Sequence, residues 1–494
     1  MSSSADTAPR MTAAEMRTAA QRRDTRIMLW GIVTLGAVLR LWDLGAKSFW
    51  LDEIASVVLA RAPSSWFWHW LWTEEGNMAL YYVLLRPWLE IHMGEATVRL
   101  LSVLPGIASI PVMYLLGRRL FGRGAGLVSA LLLAVSTCAV VYSQEARGYS
   151  WLLLGTIVST YFFARLIARP AYAVACAYVL AAGVTFYFHY FGLLVPVAHA
   201  VSLASLPKLR RPWKQLYLAG ALTVVLAAPA LWMIRAQPVR HLDWVSRPSL
   251  LELYHLGVFL AAESGKGVGP VLLVAELVLV VAFFRAMMAA RNARADGDLW
   301  PYALVASGVL TPVIISLLVS AVWPVFFHRF LMICLPAWLL AVVAGACAIG
   351  QRRARVCAVA GVCLLSLVST VLSYTRVRED WRGAVNYLIM HGTAQDRVVY
   401  YQPVGAWAAE SYRDWLPGGS ANRPTAVSVN SPSNDWLAKI AGARRVFLVE
   451  YPASVSDDTS RAVEAELHSR YAAVASQSFR AITVTEFVAK SNGQ

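Results

Sequence analysis

Long apolar runs alternate with short polar connections along this chain, and that alternation limits the folds open to it. A helix needs about 20 residues to cross a hydrocarbon core of about 30 Å. Hydrophobic residues make up 58% of the 494 residues and charged residues 15%, which is more apolar surface than one soluble core can bury. We therefore predict a polytopic α-helical membrane protein with about 11 transmembrane helices, at residues 27–41, 98–116, 127–141, 151–166, 174–188, 191–206, 216–234, 271–284, 302–322, 330–348 and 356–372.

The positive charges between these runs predict the orientation of the chain. Lys and Arg are concentrated in every second connection, as in 118–123 and 208–214, and cytoplasmic loops carry such an excess. We therefore expect a cytoplasmic tail at 1–26, a membrane domain at 27–374 and a periplasmic or extracellular C-terminal domain at 375–494. The net charge of +15 is explained by these loops, and no nucleic-acid partner is expected.

Three parts of the chain outside the predicted spans have patterns of their own. The first outer segment, 42–97, contains Trp-rich amphipathic stretches that are typical of helices lying along the membrane surface. A second outer segment, 235–270, is rich in Gly, Ser and Pro and is predicted to be a mobile loop. From about residue 375, helical and strand patterns alternate, which predicts a small α/β domain.

Two short motifs carry acidic residues at the predicted outer face. Asp52 and Glu53 follow the first span in KSFWLDEIAS, where a carboxylate is costly unless it is paired or functional. They could equally be an acid pair at the N-terminus of the next helix. Glu145, Arg147 and Tyr149 lie in YSQEARGYS at the end of the third span; they form either a structural ion pair or part of a ligand site.

Cations and imidazoles are also found at the same predicted face, against the positive-inside trend. Such residues bind either an anionic ligand such as a phosphate or the lipid headgroups. Glu276, within the eighth span, indicates either an ion path or a buried structural partner. The cations and imidazoles are His189, Arg235, Arg240, His241, His328 and Arg329.

The motifs resemble those of a known family when they are read in order. FWLDEIAS, NMALYYVLL, EATVRLLSVLPG, YSQEARGYS, FFHRFLMICLPAW and EDWRGAVNYL are similar to the C-type membrane glycosyltransferases. The similarity is to the bacterial branch related to dolichyl-phosphate-mannose protein mannosyltransferases and lipid A aminoarabinose transferases. This resemblance implies inverting transfer of a sugar from a polyprenyl-phosphate carrier to a glycan, lipid or protein acceptor at the periplasmic face of a bacterial inner membrane.

The resemblance also implies roles for individual residues. Asp52 matches the catalytic base, and Glu53 matches its neighbour, which orients the acceptor. The remaining matched positions imply binding of the donor phosphate and sugar, and they are Glu145, Arg147, Tyr149, His328 and Arg329, with His189 as a further candidate.

Two questions stay open from the sequence alone. Asp52 and Glu145 are candidates to hold a divalent metal such as Mg or Mn, because carboxylate oxygens suit these ions. A transporter or flippase of lipid-linked sugars is the alternative function, although the half-sequence symmetry typical of transporters is not evident. A non-catalytic scaffold that presents the C-terminal domain would not explain the acidic motifs.

Overall fold

The computed structural model describes residues 13–206, 211–236, 245–293, 299–376, 379–413, 415–416, 424–429, 435–451 and 458–490. Most of the described chain is helical, and a five-stranded sheet lies near the C-terminus. The helices before the sheet are α1 (Ala13–Leu41), α2 (Leu51–Arg61), α3 (Ser64–Thr73), α4 (Ala79–Trp88), α5 (Glu95–Val135), α6 (Thr137–Ser143), α7 (Tyr149–Ala168), α8 (Tyr172–Phe188), α9 (Leu194–Ser202), α10 (Trp213–Ala236), α11 (Leu250–Ala262), α12 (Gly269–Asn292), α13 (Leu299–Ser320), α14 (Leu335–Cys347) and α15 (Arg352–Tyr374). Short 3-10 segments lead into α9 and α14, at Tyr190–Leu193 and His328–Cys334.

The predicted spans all fall on helical segments. Seven segments in the described part of the chain are long and apolar enough to cross a membrane: Glu95–Val135, Tyr149–Ala168, Trp213–Ala236, Gly269–Asn292, Leu299–Ser320, His328–Cys347 and Arg352–Tyr374. Shorter apolar helices accompany them at Tyr172–Phe188, Tyr190–Ser205 and Leu250–Ala262. The multi-pass helical architecture is therefore confirmed, whereas the exact number of spans is not.

Helix α5 contains the predicted span 98–116 and the first part of the span 127–141, which lie on either side of a turn at Gly122. This residue has φ 89° and ψ 175°, a conformation outside the helical region that glycine adopts without a steric penalty. A methyl group added at Gly126 would lie 2.6 Å from the Tyr114 carbonyl oxygen. Because those positions would be about 18 Å apart along a straight helix, the two arms of α5 fold back on each other at this turn.

The first outer segment forms the short helices α2, α3 and α4, of 11, 10 and 10 residues. A ten-residue helix is about 15 Å long, which is half of the hydrocarbon thickness. Trp66, Trp68 and Trp72 of α3 are exposed, as expected of rings at the headgroup level. The predicted short helices of this segment are therefore present, and their place at the membrane surface remains a prediction.

The second outer segment differs from its prediction. Residues Leu250–Ala262 form helix α11, whose last five residues, Val258–Ala262, are all buried in the bundle. Most of the Gly, Ser and Pro residues that suggested a mobile loop lie outside this helix, and Gly257 within it does not interrupt it. Arg240 and His241 lie outside the described residues, and Arg235 is exposed at the end of α10.

The C-terminal part is an α/β domain, as predicted. Its five-stranded sheet has the order β2-β1-β3-β5-β4, in which β1 is parallel to β2 and β3, while β5 is antiparallel to β3 and β4. Central strand β3 buries all four residues of its VFLV core because both faces of the sheet are covered. The elements are α16 (Trp381–His391), β1 (Arg397–Tyr401), α17 (Gln402–Arg413), β2 (Thr425–Val429), α18 (Asp435–Ile440), β3 (Arg445–Glu450), α19 (Asp458–Arg470), β4 (Tyr471–Phe479) and β5 (Ile482–Ala489).

The α/β domain is attached to the loop that precedes Asp52. The Tyr412 hydroxyl of α17 accepts a hydrogen bond from the Phe49 backbone N–H at 2.7 Å and lies 3.0 Å from the Ser48 hydroxyl. It donates to Glu95 at 3.1 Å, and Arg382 of α16 forms an ion pair with the same carboxylate at 3.2 Å. The domain therefore helps to hold the start of α2 in place.

Candidate active site

Glu53 is buried in an ion pair at the start of α2. Both Glu53 oxygens accept hydrogen bonds from the Arg99 guanidinium, at 2.8 and 2.7 Å, and both side chains are at most 5% exposed. The backbone N–H of Ala146 donates to Glu53 Oε1 at 2.8 Å. Two such parallel bonds are the strongest geometry for an arginine and a carboxylate.

These contacts give Glu53 a different place from the one expected from the resemblance. Its oxygens are occupied by Arg99 and Ala146, so Glu53 cannot orient an acceptor without breaking the buried pair. The contact with Ala146 joins α2 to the loop between α6 and α7. Arg99 was missed by the sequence reasoning, although a lone arginine in the apolar run EATVRLL is a signal for a buried partner.

Asp52, by contrast, keeps an accessible carboxylate. Its side chain is 37% exposed, and Asp52 Oδ2 lies 3.8 Å from Nη1 of Arg329. The Arg329 guanidinium lies 5.0 Å from the centroid of the Trp50 ring, a cation–π distance. Asp52 and Arg329, which are far apart in sequence, are therefore brought together.

Arg147 lies on the other side of this group, between α2 and α4. Its Nη1 donates to the Tyr82 hydroxyl at 3.1 Å and to the Ser56 hydroxyl at 3.4 Å. Its Nε is buried without a hydrogen-bond partner, which is uncommon for a guanidinium nitrogen. Burial raises the pKa of Tyr82 well above its usual value, so the hydroxyl keeps a proton that it can donate.

His189, one of the two histidines that were predicted to bind the donor phosphate, is buried. Burial, with a smaller contribution from the Arg147 charge, lowers the pKa of His189 to about 3, so its ring is neutral at neutral pH. His189 Nδ1 accepts from the Phe191 N–H at 3.2 Å, and Nε2 lies 3.4 Å from the Asn77 amide nitrogen. His189 is therefore a neutral, hydrogen-bonded ring, and its contact with the donor remains a prediction.

His328 and Tyr149 are packed among aromatic rings near the same group. The His328 ring lies 4.4 Å from Phe327 and 5.2 Å from Phe259 between centroids, and its Nδ1 is buried without a hydrogen-bond partner. Tyr149 is 2% exposed and stacks edge-on against Tyr142 at 4.9 Å. Both residues lie in the wall of the site.

A cleft of about 460 Å³ opens beside this group, between the bundle and the α/β domain. Trp50 and Glu145 line it, so it adjoins the surroundings of Asp52. Arg376 forms an ion pair with Glu263 at 2.9 Å in its wall. Lys266 and Arg480, which line its other parts, were missed because neither belongs to a recognisable motif. Arg480 comes from the turn between β4 and β5, so both domains form this cleft.

Two further sequence hypotheses can be compared with the geometry. Glu276 is 1% exposed, and its Oε2 accepts a hydrogen bond from Trp338 Nε1 at 2.6 Å, as expected of a buried structural partner. No group of three or more His, Cys, Asp or Glu residues suited to a metal occurs among the described residues. Asp52, one of the two metal candidates, faces the guanidinium of Arg329, which would repel a cation.

Fold and site together define a multi-pass membrane protein with an accessible carboxylate and two arginines at one end of its helical bundle. The comparisons with known proteins agree with this class. The family model of the dolichyl-phosphate-mannose-protein mannosyltransferases matches residues 80–233. No curated protein sequence matches the chain.

Solved structures of the same architecture were also found. ArnT from Cupriavidus metallidurans in the apo state has a TM-score of 0.60 and 14% identity, covering 92% of this chain and 97% of that chain. The same protein bound to undecaprenyl phosphate has a TM-score of 0.57 and 14% identity, and the match again covers 92% of this chain and 97% of that chain. A third structure is the oligosaccharyltransferase AglB from Archaeoglobus fulgidus in complex with an inhibitory peptide and a dolichol-phosphate. It has a TM-score of 0.51 and 10% identity, and the match covers 87% of this chain and 69% of that chain.

These likenesses establish the fold, and the family match adds a sequence relationship over part of the chain. The resemblance to the C-type membrane glycosyltransferases that was drawn from the motifs is therefore confirmed. The donor sugar, the acceptor and the roles of single residues belong to the proposal below.

Proposed function

We propose that this protein transfers a sugar from a polyprenyl-phosphate carrier to an acceptor hydroxyl, with Asp52 as the general base. The observation that carries the proposal is the position of Asp52: its carboxylate is accessible and lies 3.8 Å from Arg329. Arg147 and Tyr82 lie in the same group. A base for the incoming hydroxyl and cations for the departing phosphate are the two requirements of this reaction.

The reaction follows from these positions. Asp52 takes the proton of the acceptor hydroxyl as the acceptor oxygen attacks the anomeric carbon from the face opposite the phosphate. The bond between that carbon and the phosphate oxygen breaks, and its electron pair leaves with the polyprenyl phosphate. The new glycosidic bond therefore has inverted configuration. Arg329 and Arg147 stabilise the charge on the departing phosphate, and Tyr82 donates a hydrogen bond to it.

The identity of the carrier is supported by the relatives of the fold. The ArnT structure is bound to undecaprenyl phosphate, and the AglB structure is in complex with an inhibitory peptide and a dolichol-phosphate. The buried Nε of Arg147 and Nδ1 of His328 are suited to a phosphate or sugar oxygen. We assign this chain a carrier of the same class, a hexosyl or pentosyl group, and an acceptor that is a glycan, a lipid or a protein.

The cellular setting is part of the proposal. Positive charges in alternate connections favour a bacterial inner membrane protein whose Asp52 end and α/β domain face the periplasm. No step requires a metal, since the arginines supply the charge that Mg or Mn would supply. Addition of a chelator to the assay below tests this point directly.

The test measures release of free polyprenyl phosphate from a panel of polyprenyl-phosphate sugars by the purified protein, with cell-envelope extract as acceptor. We expect acceptor-dependent release by the wild type and a loss of about 10²- to 10⁴-fold in Asp52→Asn, the range for removal of a general base. Glu90→Gln is the matched control, because Glu90 is an exposed carboxylate on the same outer segment.

Two outcomes would count against the proposal. Wild-type turnover by Asp52→Asn would remove Asp52 from the role of base. Transport of labelled lipid across a vesicle bilayer, without release of polyprenyl phosphate from any donor, would favour the flippase alternative.

A further inference from the structure

Four arginines surround a cleft at the end of the bundle opposite Asp52. This arginine cleft has a volume of about 640 Å³ and is lined by Arg22 and Arg26 of α1 and by Arg118 and Arg123 of α5. Residue 22 lies about 28 Å along α1 from its outer end near residue 41, at 1.5 Å per residue. The cleft is therefore separate from the proposed active site.

The local structure explains how the arginines come together. Arg22 and Arg26 are four residues apart and share one face of α1. Arg118 and Arg123 flank the turn at Gly122, where the two arms of α5 fold back. Nη2 of Arg123 donates to the Gln21 carbonyl at 2.6 Å, which joins the turn to α1.

Among the described residues, no carboxylate balances the charges of this cleft. In the described part of the chain, no carboxylate lines the cleft, and none forms an ion pair with any of the four arginines. Asp24 belongs to the same helix but is not part of the lining. Four guanidinium groups around one cavity repel each other, and an anion between them relieves the repulsion. Guanidinium groups pair with phosphate oxygens in the two-pronged geometry that suits both partners.

The surroundings of the cleft indicate an amphipathic ligand. Leu29 and Tyr114 form its deeper wall, where α1 packs against α5. One turn further along α1, Ile27 is 60% exposed and Trp30 is 70% exposed, which is typical of side chains that face lipid. A phosphate in the cleft would therefore be next to a surface suited to acyl chains.

We propose that the arginine cleft is a binding site for the phosphate headgroup of an anionic phospholipid. The headgroup phosphate lies among the four guanidinium groups, and the acyl chains run along the exposed face of α1. This site is independent of the proposed glycosyl transfer, since it lies at the other end of the bundle and shares no residue with the Asp52 group.

The chain supplies a matched control for this proposal. Arg22 and Arg118 line the cleft, whereas their exposed neighbours Arg23 and Arg119 do not. The double variants Arg22→Gln/Arg118→Gln and Arg23→Gln/Arg119→Gln remove the same charge from the same two helices. All four side chains are exposed, so neither variant disturbs the packed bundle.

The experiment titrates phosphatidylglycerol into purified full-length protein in neutral detergent and counts retained lipids by native mass spectrometry. Phosphatidylcholine and inorganic phosphate are the other two arms. We expect preferential retention of phosphatidylglycerol by the wild type and by Arg23→Gln/Arg119→Gln. Affinity should fall about thirtyfold in Arg22→Gln/Arg118→Gln, which corresponds to about 2 kcal/mol for two arginines near anionic lipid.

Each other outcome overturns the proposal. Equal loss of lipid affinity in both double variants would show that the four arginines act only as surface charge that determines membrane orientation. Equal retention of phosphatidylcholine would remove the preference for anionic lipid. Displacement of the lipid by an equal concentration of inorganic phosphate would make the cleft a site for free phosphate.

Discussion

Asp52 and Glu53 are neighbours in sequence, yet their carboxylates have opposite surroundings. Successive residues of a helix point about 100° apart, so Glu53 pairs with the buried guanidinium of Arg99 while Asp52 faces the guanidinium of Arg329. The Asp-Glu pair could be selected from the sequence as a candidate site. The sequence could not show which of the two carboxylates is buried, because burial depends on an arginine 46 residues further along the chain.

The buried position of Glu53 leads to a prediction about stability. Glu53→Gln removes one member of a buried ion pair and leaves the Arg99 charge without its partner, so the protein should lose about 3–5 kcal/mol of stability. Thermal unfolding in detergent, with the exposed Glu90→Gln as control, measures this loss. An unchanged unfolding temperature together with complete loss of sugar transfer would contradict the structural role of Glu53. It would support the predicted role of Glu53 in orienting the acceptor.

At the scale of elements, α17 was predicted from its sequence, but its docking was not. The pattern VGAWAAESYRDWL predicts a helix, and Gln402–Arg413 is one. The contact of Tyr412 with Phe49 joins residues 363 positions apart, which no local pattern encodes. The hairpin of β4 and β5 was also missed, because YAAVASQSF is rich in alanine and serine and has Val474 as its one β-branched residue.

The docking of α17 should affect turnover. Tyr412→Phe leaves the Phe49 N–H without an acceptor, at a cost of about 1–3 kcal/mol for an unpaired buried group, and removes one of the two donors to Glu95, which keeps Arg382. Because these groups hold the start of α2, we expect kcat to fall several-fold with little change in the donor KM. Tyr387→Phe on neighbouring α16 is the control. An equal fall in kcat in both variants would argue against a role of the Tyr412 contacts in turnover.

Strands β1 and β3 are connected at their ends by an ion pair that gives the α/β domain a pH dependence. Burial tends to raise the pKa of Asp396, but hydrogen bonds from Arg445 and Thr393 outweigh this effect and hold the pKa below its usual value. A carboxyl with a lowered pKa in the folded state stabilises that state above its unfolded pKa of about 3.9. The contribution is lost as the pH falls through the folded pKa.

Thermal unfolding of the wild type and of Asp396→Asn should therefore differ at pH 7 and converge as the pH falls below about 4. Asp396 accepts from Arg445 Nη2 at 2.6 Å and from the Thr393 N–H at 2.7 Å, so both bonds weaken when the carboxylate is protonated. Asp435→Asn, which removes an acid from the neighbouring α18, is the control. A difference that persists unchanged at low pH would show that Asp396 acts through packing and not through its charge.

At the scale of the whole molecule, hydropathy was sufficient for the architecture but not for the site. Apolar runs and charge alternation located the helical segments, because the bilayer demands about 20 apolar residues for each crossing. The short helices of 42–97 were also recognised, from their tryptophans. The neutral state of His189 and the pairing of Asp52 with Arg329 depend on how distant helices pack, so these features required coordinates.

The turn that carries Arg480 has a consequence for how such proteins diversify. Arg480, one of the two residues between β4 and β5, lines the cleft beside the bundle, while the strands behind it are fixed by the sheet. A change of size or charge in that turn alters the mouth of the cleft and leaves every membrane helix as it was. The turn between β4 and β5 can therefore vary, and with it the ligand selectivity of the cleft. The sequence and packing of the membrane helices need not change.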